Sequence, residues 1–254
     1  MKKLALIILS SLLFNAYAAE PTKNEQPTVK KNPLFEKKEK MLESQNKTLS
    51  SQDNTLLQKY QELSSKFTIN EDYFIFKKRI GSLTSTGKNT ITMFFQYNSP
   101  QSYELYKYLK QNAERRGLTL WLIPIAYGDN IAHARIYYGL GQSVPSEAKW
   151  NDVNERLMFD TSYAKLNPTD LKQLREWLSG QGVSYEAFSN GYGSPIAKTQ
   201  SVTVLNNLNS KAWFINASPS FYVNGKYYFT NITDYSKVSD MISLGLLGDR
   251  LSME

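Results

Sequence analysis

The sequence predicts an α/β protein in which a long helical insertion interrupts a mixed sheet and a helical segment precedes the folded domain. Three observations lead to this prediction. A buried-type strand, a capped helix and a further strand follow one another between residues 90 and 126. Mainly helical patterns then continue to about residue 210, and a β-hairpin and a helix close the chain. The predicted order is β-β-α-β, a helical insertion, then β-β-α.

The first 18 residues have the pattern of a secretory signal peptide. Lys2 and Lys3 give a basic start, residues 4–14 are mainly apolar, and residues 16–18 form a small-x-small cleavage site. The apolar run is shorter than the roughly 20 residues that a membrane-spanning helix needs. We therefore expect cleavage before Ala19, a periplasmic location in a bacterium, and contact with a membrane only during export.

Composition excludes several classes of function. The 254 residues include no cysteine, which rules out disulfides, thiolate metal sites and cysteine catalysis within this chain. The single histidine, His133, argues against a histidine-based metal site or a histidine relay, and we expect it to be a structural residue within a helix. We therefore predict no metal and no cofactor.

The positive charge does not predict nucleic-acid binding. The formal net charge is +7, and the loss of Lys2 and Lys3 with the signal peptide lowers it to +5. Basic residues are interspersed with acidic ones, as in residues 35–40, and form no block long enough to follow a phosphate backbone. The charge is better explained by a solvated surface.

Two segments separate the signal peptide from the domain. Residues 19–33 are polar and contain three prolines, which is typical of a flexible leader. Residues 34–68 contain no Gly or Pro and carry a leucine every seventh residue, although three of the five positions that would complete the seam are polar. Residues 34–67 predict either a coiled coil that makes a homo-oligomer or a single amphipathic helix, lying on the domain or extending as a stalk. The leucines are Leu42, Leu49, Leu56 and Leu63.

The first half of the domain, which we predict over residues 71–250, begins with two strands joined by a Ser- and Gly-rich loop at 81–89. The strands are residues 73–76 and 90–97.

A helix follows the second strand. Ser99 is the predicted N-cap, Pro100 the first helical residue and Gly117 the end of the helix. The strand at 118–126 comes next, and we expect it to lie parallel to the strand at 90–97 because the connection is a right-handed crossover.

The insertion occupies about residues 127–210. Its predicted helices are residues 129–140, residues 146–159, one that starts at Asn167-Pro168 and ends at Gly180 or Gly182, a short turn at 183–189, and one from Ser194-Pro195 to about Leu208. The chain then returns to strands at 220–223 and 226–230 around an Asn224-Gly225 turn, and a helix at 234–246 ends the domain.

Two segments of this pattern resemble a known family. Residues 94–103, FFQYNSPQSY, are similar to the active-site segment of DsbA-like thioredoxin-fold proteins, in which an aromatic strand runs into Cys-Pro-x-Cys at a helix N-terminus. Residues 217–227, ASPSFYVNGKY, are similar to that family's second signature, a cis-proline loop followed by a strand and an Asn-Gly turn. The resemblance covers roughly residues 71–250. It implies a thioredoxin fold with a DsbA-type helical insertion.

The sequence departs from this family at the reacting atoms. Ser99 and Ser102 stand where the two cysteines of the motif would be. Thiol–disulfide exchange needs a thiolate that attacks a disulfide sulfur, and a serine hydroxyl is not appreciably ionised near neutral pH. We therefore predict that the chain is not a disulfide oxidoreductase and has no catalytic residue of that kind.

A peptide-binding role does not need the missing sulfur. The resemblance implies that the backbone of the residue before the cis-proline pairs with an extended peptide as an added strand. The residues predicted to form this groove are Ser99, Pro100, Gln101, Ser102, Ser218 and Pro219. The alternative is that Pro219 is present only because its turn requires it.

Three functions follow from these considerations. The first is a periplasmic, non-catalytic scaffold or assembly factor that binds a protein or an extended peptide, in a role such as the resemblance implies in secretion or conjugation systems. The second is a redox-independent periplasmic chaperone. The third is an enzyme of another class that uses Ser99 as a nucleophile, which would need a general base and an oxyanion hole.

Overall fold

The computed structural model of the chain describes residues 51–83, 89–128 and 130–252. The signal peptide, the leader and the first part of the predicted helical segment lie outside these residues. Within the described ranges the chain forms five strands and eight α-helices. The strands are β1 (Tyr73–Ile75), β2 (Thr90–Phe95), β3 (Thr119–Pro124), β4 (Ser220–Val223) and β5 (Tyr227–Phe229). The helices are α1 (Ser51–Ser64), α2 (Pro100–Arg116), α3 (Asn130–Ser143), α4 (Glu147–Ser162), α5 (Leu171–Gly180), α6 (Tyr185–Gly193), α7 (Pro195–Asn209) and α8 (Val238–Leu251).

The five strands form one mixed sheet in the order β1-β5-β4-β2-β3. β2 and β3 are parallel, as the strand–helix–strand pattern predicted, and the other three pairs are antiparallel. Helices α3 to α7 all lie between β3 and β4 in the sequence. This arrangement confirms the predicted thioredoxin fold with a DsbA-type helical insertion.

The sheet is covered on both faces, and β2, which has four apolar residues and two threonines, is buried between the two layers. Alternate side chains of β2, including Met93 and Phe95, join a core cluster with α2, α8 and α1. Phe94 points to the opposite face and packs with Tyr222, Tyr228 and residues of α7. Every residue of β2 is buried, which is the pattern expected of a central strand covered on both faces.

The described part of the predicted heptad segment lies on the domain as an amphipathic helix. α1 packs against α8, and Tyr60 and Leu63 are buried in the same core as the sheet. Phe67 is also buried just beyond the helix. Tyr60, Leu63 and Phe67, the last positions of the heptad pattern, therefore pack against other residues of this chain. The coiled-coil alternative for residues 34–50 falls outside the described residues.

The predicted start of the third insertion helix is wrong. The sequence favoured Asn167-Pro168, whereas α5 begins at Leu171 with Asp170 as its N-cap. The Asp170 carboxylate accepts hydrogen bonds from the backbone N–H groups of residues 172 and 173, and these bonds hold the pKa of this carboxyl below its usual value. The Asn167 side chain instead accepts a bond from the N–H of Thr169 and closes a turn. Asparagine favours such turns as well as caps, so the local pattern was ambiguous.

The Asn224-Gly225 turn is confirmed, and its first residue holds three elements together. Both residues have positive φ angles, 53° and 61°. The Asn224 Oδ1 atom accepts hydrogen bonds from the N–H groups of Asn89 and Thr90 at the start of β2, at 2.8 and 2.9 Å. Its Nδ2 atom donates to the buried carboxylate of Asp249 in α8. The turn therefore fixes the position of β2 relative to the terminal helix.

None of the helices in the described ranges combines the length and the apolar character that a membrane crossing requires.

The contact between α8 and β4 predicts a sharp response to one added methyl group. A Cβ atom at Gly245 would lie 2.7 Å from the Cβ atom of Val223, whereas one at Gly180 would meet nothing within 4 Å. We expect Gly245→Ala to lower the free energy of unfolding by about 1–3 kcal/mol. The matched change Gly180→Ala should leave it unchanged or raise it by up to about 1 kcal/mol. Urea unfolding measures both, and equal effects would contradict the close packing.

The Asn224 side chain gives a second stability prediction. Asn224→Gly keeps a residue that tolerates positive φ but removes three side-chain hydrogen bonds, so we expect a loss of about 2–4 kcal/mol in the free energy of unfolding. Asn231→Gly is the matched control, because Asn231 also has a positive φ and is exposed. Its loss should stay below about 1 kcal/mol. Comparable losses in the two variants would show that backbone conformation, not the side-chain bonds, sets the effect.

Candidate functional site

The site begins where β2 passes into α2. Asn98 has a positive φ of 63°, a conformation that asparagine tolerates better than most residues, and it redirects the chain after the strand. Ser99 then adopts an extended conformation as the N-cap, and Pro100 is the first residue of the helix. The Ser99 Oγ atom accepts a hydrogen bond from the N–H of Ser102 at 3.1 Å. The cap and the proline were both predicted from the sequence and are confirmed.

The second serine of the motif faces inward. Ser102 is fully buried, and its Oγ atom accepts a hydrogen bond from the N–H of Gln96 at 3.1 Å. This bond ties the end of β2 to the first turn of α2. Ser102 therefore supports the segment from inside and presents no surface to a peptide in this structure.

The loop before β4 lies beside this helix start. In the antiparallel register of β2 and β4, Ser220 pairs with Phe94. Extending this antiparallel register by two residues, forward from Phe94 and backward from Ser220, places Ser218 opposite Gln96. Gln96 precedes Ser99 by three residues. The Ser218–Pro219 peptide bond is cis, as the resemblance implied. The fold thus brings the two predicted motifs, more than a hundred residues apart in the sequence, to one end of the sheet.

Ser218 has unused hydrogen-bonding groups. It lies just before the first residue of β4, and among the described residues neither its N–H nor its carbonyl oxygen makes a hydrogen bond. Its hydroxyl oxygen is buried and is also without a partner in that part of the chain. A short extension of β4 is therefore open to pairing.

Two residues far away in the sequence hold the helix start in place. The Ser162 hydroxyl, at the end of α4, donates to the carbonyl oxygen of Ser99 at 2.9 Å. The Tyr235 hydroxyl donates to the carbonyl oxygen of Gln101 at 3.3 Å. Sequence reasoning missed both residues because neither lies in a motif. Only the packing of α4 and of the segment just before α8 brings them to the start of α2.

A buried aromatic group underlies the same turn. The Tyr97 hydroxyl bonds to the Oδ1 atom of Asn154, and its ring lies 5.9 Å from the ring of His133. Burial raises the pKa of the Tyr97 phenol well above its usual value, so this group stays neutral. His133 is 7% exposed, in agreement with the structural role predicted from its helix.

The surroundings of Ser99 do not activate its hydroxyl. Its hydrogen-bond partners are the backbone N–H of Ser102 and the side-chain oxygen of Gln101, and neither is a general base. The first turn of α2 contains no acidic residue, so the positive end of the helix dipole is not neutralised there. Among the described residues no group of acidic and histidine side chains is arranged to hold a metal ion. The site offers backbone hydrogen-bonding groups and a helix N-terminus.

Five of the six predicted groove residues have exposed surface. Ser99, Ser218 and Pro219 are half-buried, and Pro100 and Gln101 are exposed. Together with the buried Ser102 they lie where the ends of β2 and β4 meet α2.

Comparison with known proteins identifies this architecture. No family model matches the chain, and no curated protein matches it significantly. Among solved structures, reduced DsbA1 from Neisseria meningitidis is 18% identical with a TM-score of 0.58, over 73% of this chain and 95% of that one. DsbA from Xylella fastidiosa is 17% identical with a TM-score of 0.57, over 72% and 97% of the two chains. DsbA from Pseudomonas aeruginosa is 19% identical with a TM-score of 0.53, over 66% and 85%. The chain therefore has the fold of DsbA proteins, without cysteine.

The unequal burial of the two serines predicts unequal thiol chemistry after substitution. A thiol in Ser99→Cys would lie at the N-terminus of α2, so we expect its pKa to fall below the roughly 8.5 of a free cysteine. Ellman's reagent should label it readily in the folded protein. Ser102→Cys is the matched control, and its buried thiol should be labelled only after unfolding. Equal labelling rates in the folded variants would contradict the assigned geometry.

Proposed function

We propose that this protein is a periplasmic, non-catalytic scaffold. It binds an extended segment of another exported protein at the end of the sheet where Ser99 and Ser218 lie. The observation that carries the proposal is the open backbone of Ser218, whose N–H and carbonyl oxygen have no partner among the described residues. An extended peptide beside this residue would satisfy both groups as an added antiparallel strand.

The chemistry of the site favours binding over reaction. Oxidoreductases of this fold act through a thiolate, and the chain contains no sulfur atom that can form a mixed disulfide. Peptide pairing through main-chain groups, in contrast, depends on loop geometry and not on side-chain type. Pro100 and Gln101 add exposed surface beside the open backbone.

The proposed location rests on the first 18 residues. Their basic, apolar and small-x-small pattern is that of a signal peptide. An exported protein without cysteine has no thiol to oxidise in that compartment. A role in the assembly of a secretion or conjugation system is the finer form of the proposal, and it rests on the resemblance to cysteine-free thioredoxin folds among such factors.

A general chaperone is the second candidate, and it is distinguished by the surface it would need. A holding chaperone exposes a large continuous apolar patch. Among the described residues the exposed large apolar side chains are spread along the chain, and only two of them share an element, α7: Tyr108, Trp121, Tyr127, Tyr163, Leu171, Ile196 and Val202. This distribution gives the chaperone no specific support, and an aggregation-suppression assay would separate it from a scaffold.

The proposal predicts where an unfolded chain contacts the protein. We expect reduced and alkylated lysozyme, used as a soluble extended polypeptide, to shift the backbone NMR signals of Ser99, Gln101, Ser218 and Ser220. Gln101→Trp, which adds bulk at an exposed position beside the open backbone, should weaken these shifts several-fold. The NMR titration measures both effects.

A second substitution on the same helix serves as the control. Gln111 is also exposed but lies far along α2 from its N-terminus, so Gln111→Trp should leave the titration unchanged. Unmoved signals at Ser99 and Ser218 in the unsubstituted protein would refute the peptide groove. Equal weakening by the two variants would refute its placement.

A further inference from the structure

A second surface lies along the open edge of β3, away from Ser99. Among the described residues β3 is the last strand of the sheet, and a groove of about 870 Å³ lies beside it. The groove is lined by side chains of β3, of α2 to α4 and of the segment before β4, among them Leu120, Trp121, Leu122, Trp150 and Trp213. Three of the four tryptophans of the chain line this one groove. Tryptophan is among the residues that contribute most to protein interfaces.

The backbone of β3 faces this groove with unpaired groups. Thr119 and Ile125 donate their N–H groups toward β2, to the carbonyl oxygens of Asn89 and Phe95. Because both peptide groups of a residue in a parallel strand point to the same side, the odd-numbered residues between them also face β2. Leu120 and Leu122 therefore point their N–H and carbonyl groups outward, and no described residue bonds to them.

A buried donor of a residue that lines the groove is also without a partner in the described part of the chain. The indole Nε1 atom of Trp150 is buried and makes no hydrogen bond to any described residue. A buried N–H without an acceptor costs free energy, so it favours a ligand that brings a carbonyl or hydroxyl oxygen. Trp213 differs, because its Nε1 atom donates to Ser82 at 2.9 Å.

Negative charge gathers at one end of the groove. Helices α2 and α4 pack antiparallel, since Tyr103 contacts Phe159 and Lys110 bonds to Glu155. Continuing this register brings Glu114 toward Glu147, in the first turn of α4, near the start of β3. Both carboxylates line the groove, and neither forms an ion pair within the described part of the chain, whereas Lys110 is already paired. This end of the groove is therefore complementary to a basic group.

We propose that the β3 edge binds an extended, mainly apolar peptide segment of another protein, with a lysine or arginine next to Glu114 and Glu147. The segment would add a strand to the sheet through the outward groups of Leu120 and Leu122, and it would supply an acceptor to Trp150. This site is separate from the one proposed around Ser218, because the acidic end lies near the start of β3 whereas Ser99 follows the end of the neighbouring parallel β2. An experiment that refutes one of the two proposed sites therefore leaves the other proposal intact.

Hydrogen exchange of the free protein is the first test. The amides of Leu120 and Leu122 should exchange quickly, whereas those of Trp121 and Ile123, which face β2, should exchange slowly. Protection of all four in the free protein would mean that the edge is already covered by other residues of this chain or by a second copy. That result would overturn the proposal.

Peptide probes are the second test. We expect the fluorescent peptide Lys-Val-Thr-Val-Thr-Val to bind, by anisotropy, and to protect the amides of Leu120 and Leu122. N-methylation of its alternate amides removes the strand hydrogen bonds and should weaken binding by roughly tenfold or more. Replacing its lysine by glutamate should also weaken binding, with a difference that shrinks at high salt. No binding, or equal binding of the N-methylated peptide, would refute strand addition.

Comparison of matched variants tests where on the protein the peptide binds. Leu122→Pro removes one outward N–H and leaves the bonds to β2 in place, as an edge strand allows, so it should weaken binding about tenfold. Trp150→Phe should weaken it several-fold, whereas Trp177→Phe removes an indole donor that bonds to Asp160 elsewhere and should not. Gln101→Trp should also leave it unchanged. Equal effects of the two tryptophan variants, or loss of binding in Gln101→Trp, would place the peptide elsewhere.

Discussion

The structure depends on the burial of a single strand, β2, between two neighbours. All six of its residues are buried, and it pairs in parallel with β3 and antiparallel with β4. A one-residue slip would turn Met93 and Phe95 to the wrong face, so the register is strongly fixed. Side chains from distant segments hold its two ends, Asn224 at the start and Ser102 just beyond the end. The positions of α2 and of the loop before β4 follow from this register.

The start of α2 is built from main-chain groups and two serines. In this fold the N-terminus of α2 points partial positive charge at the first motif position, which stabilises a thiolate when one is present. Here Ser99 occupies that position, and its hydroxyl oxygen accepts the N-cap hydrogen bond from the N–H of Ser102. Ser102 is fully buried. The turn between β2 and α2 is therefore held by hydrogen bonds between main-chain groups and serine hydroxyls.

The two proposed sites use the same physical feature at different places. At Ser218 an extension of β4 passes the end of its partner strand β2, and β3 is the edge strand of the sheet formed by the described residues. In both places a strand that pairs with β2 presents unpaired main-chain groups, at Ser218 beyond the end of β2 and at β3 on the side away from β2. The side chains beside the two proposed sites differ: Pro100 and Gln101 at the first, and tryptophans with two carboxylates at the second.

Local patterns in the sequence determined the strands, most helices, the Ser99 cap and the Asn224-Gly225 turn, because alternation, caps and positive-φ residues act over a few neighbours. The resemblance of residues 94–103 and 217–227 supplied the topology. Local signals failed at Asn167, where a turn and a cap compete for the same side chain. Only the tertiary structure decided that Ser102 faces inward, that Ser162 and Tyr235 brace the helix start, and that Trp150 and Glu114 share a groove. These facts depend on which helix faces which, and that choice is made by packing across the whole core, not by neighbours in the chain.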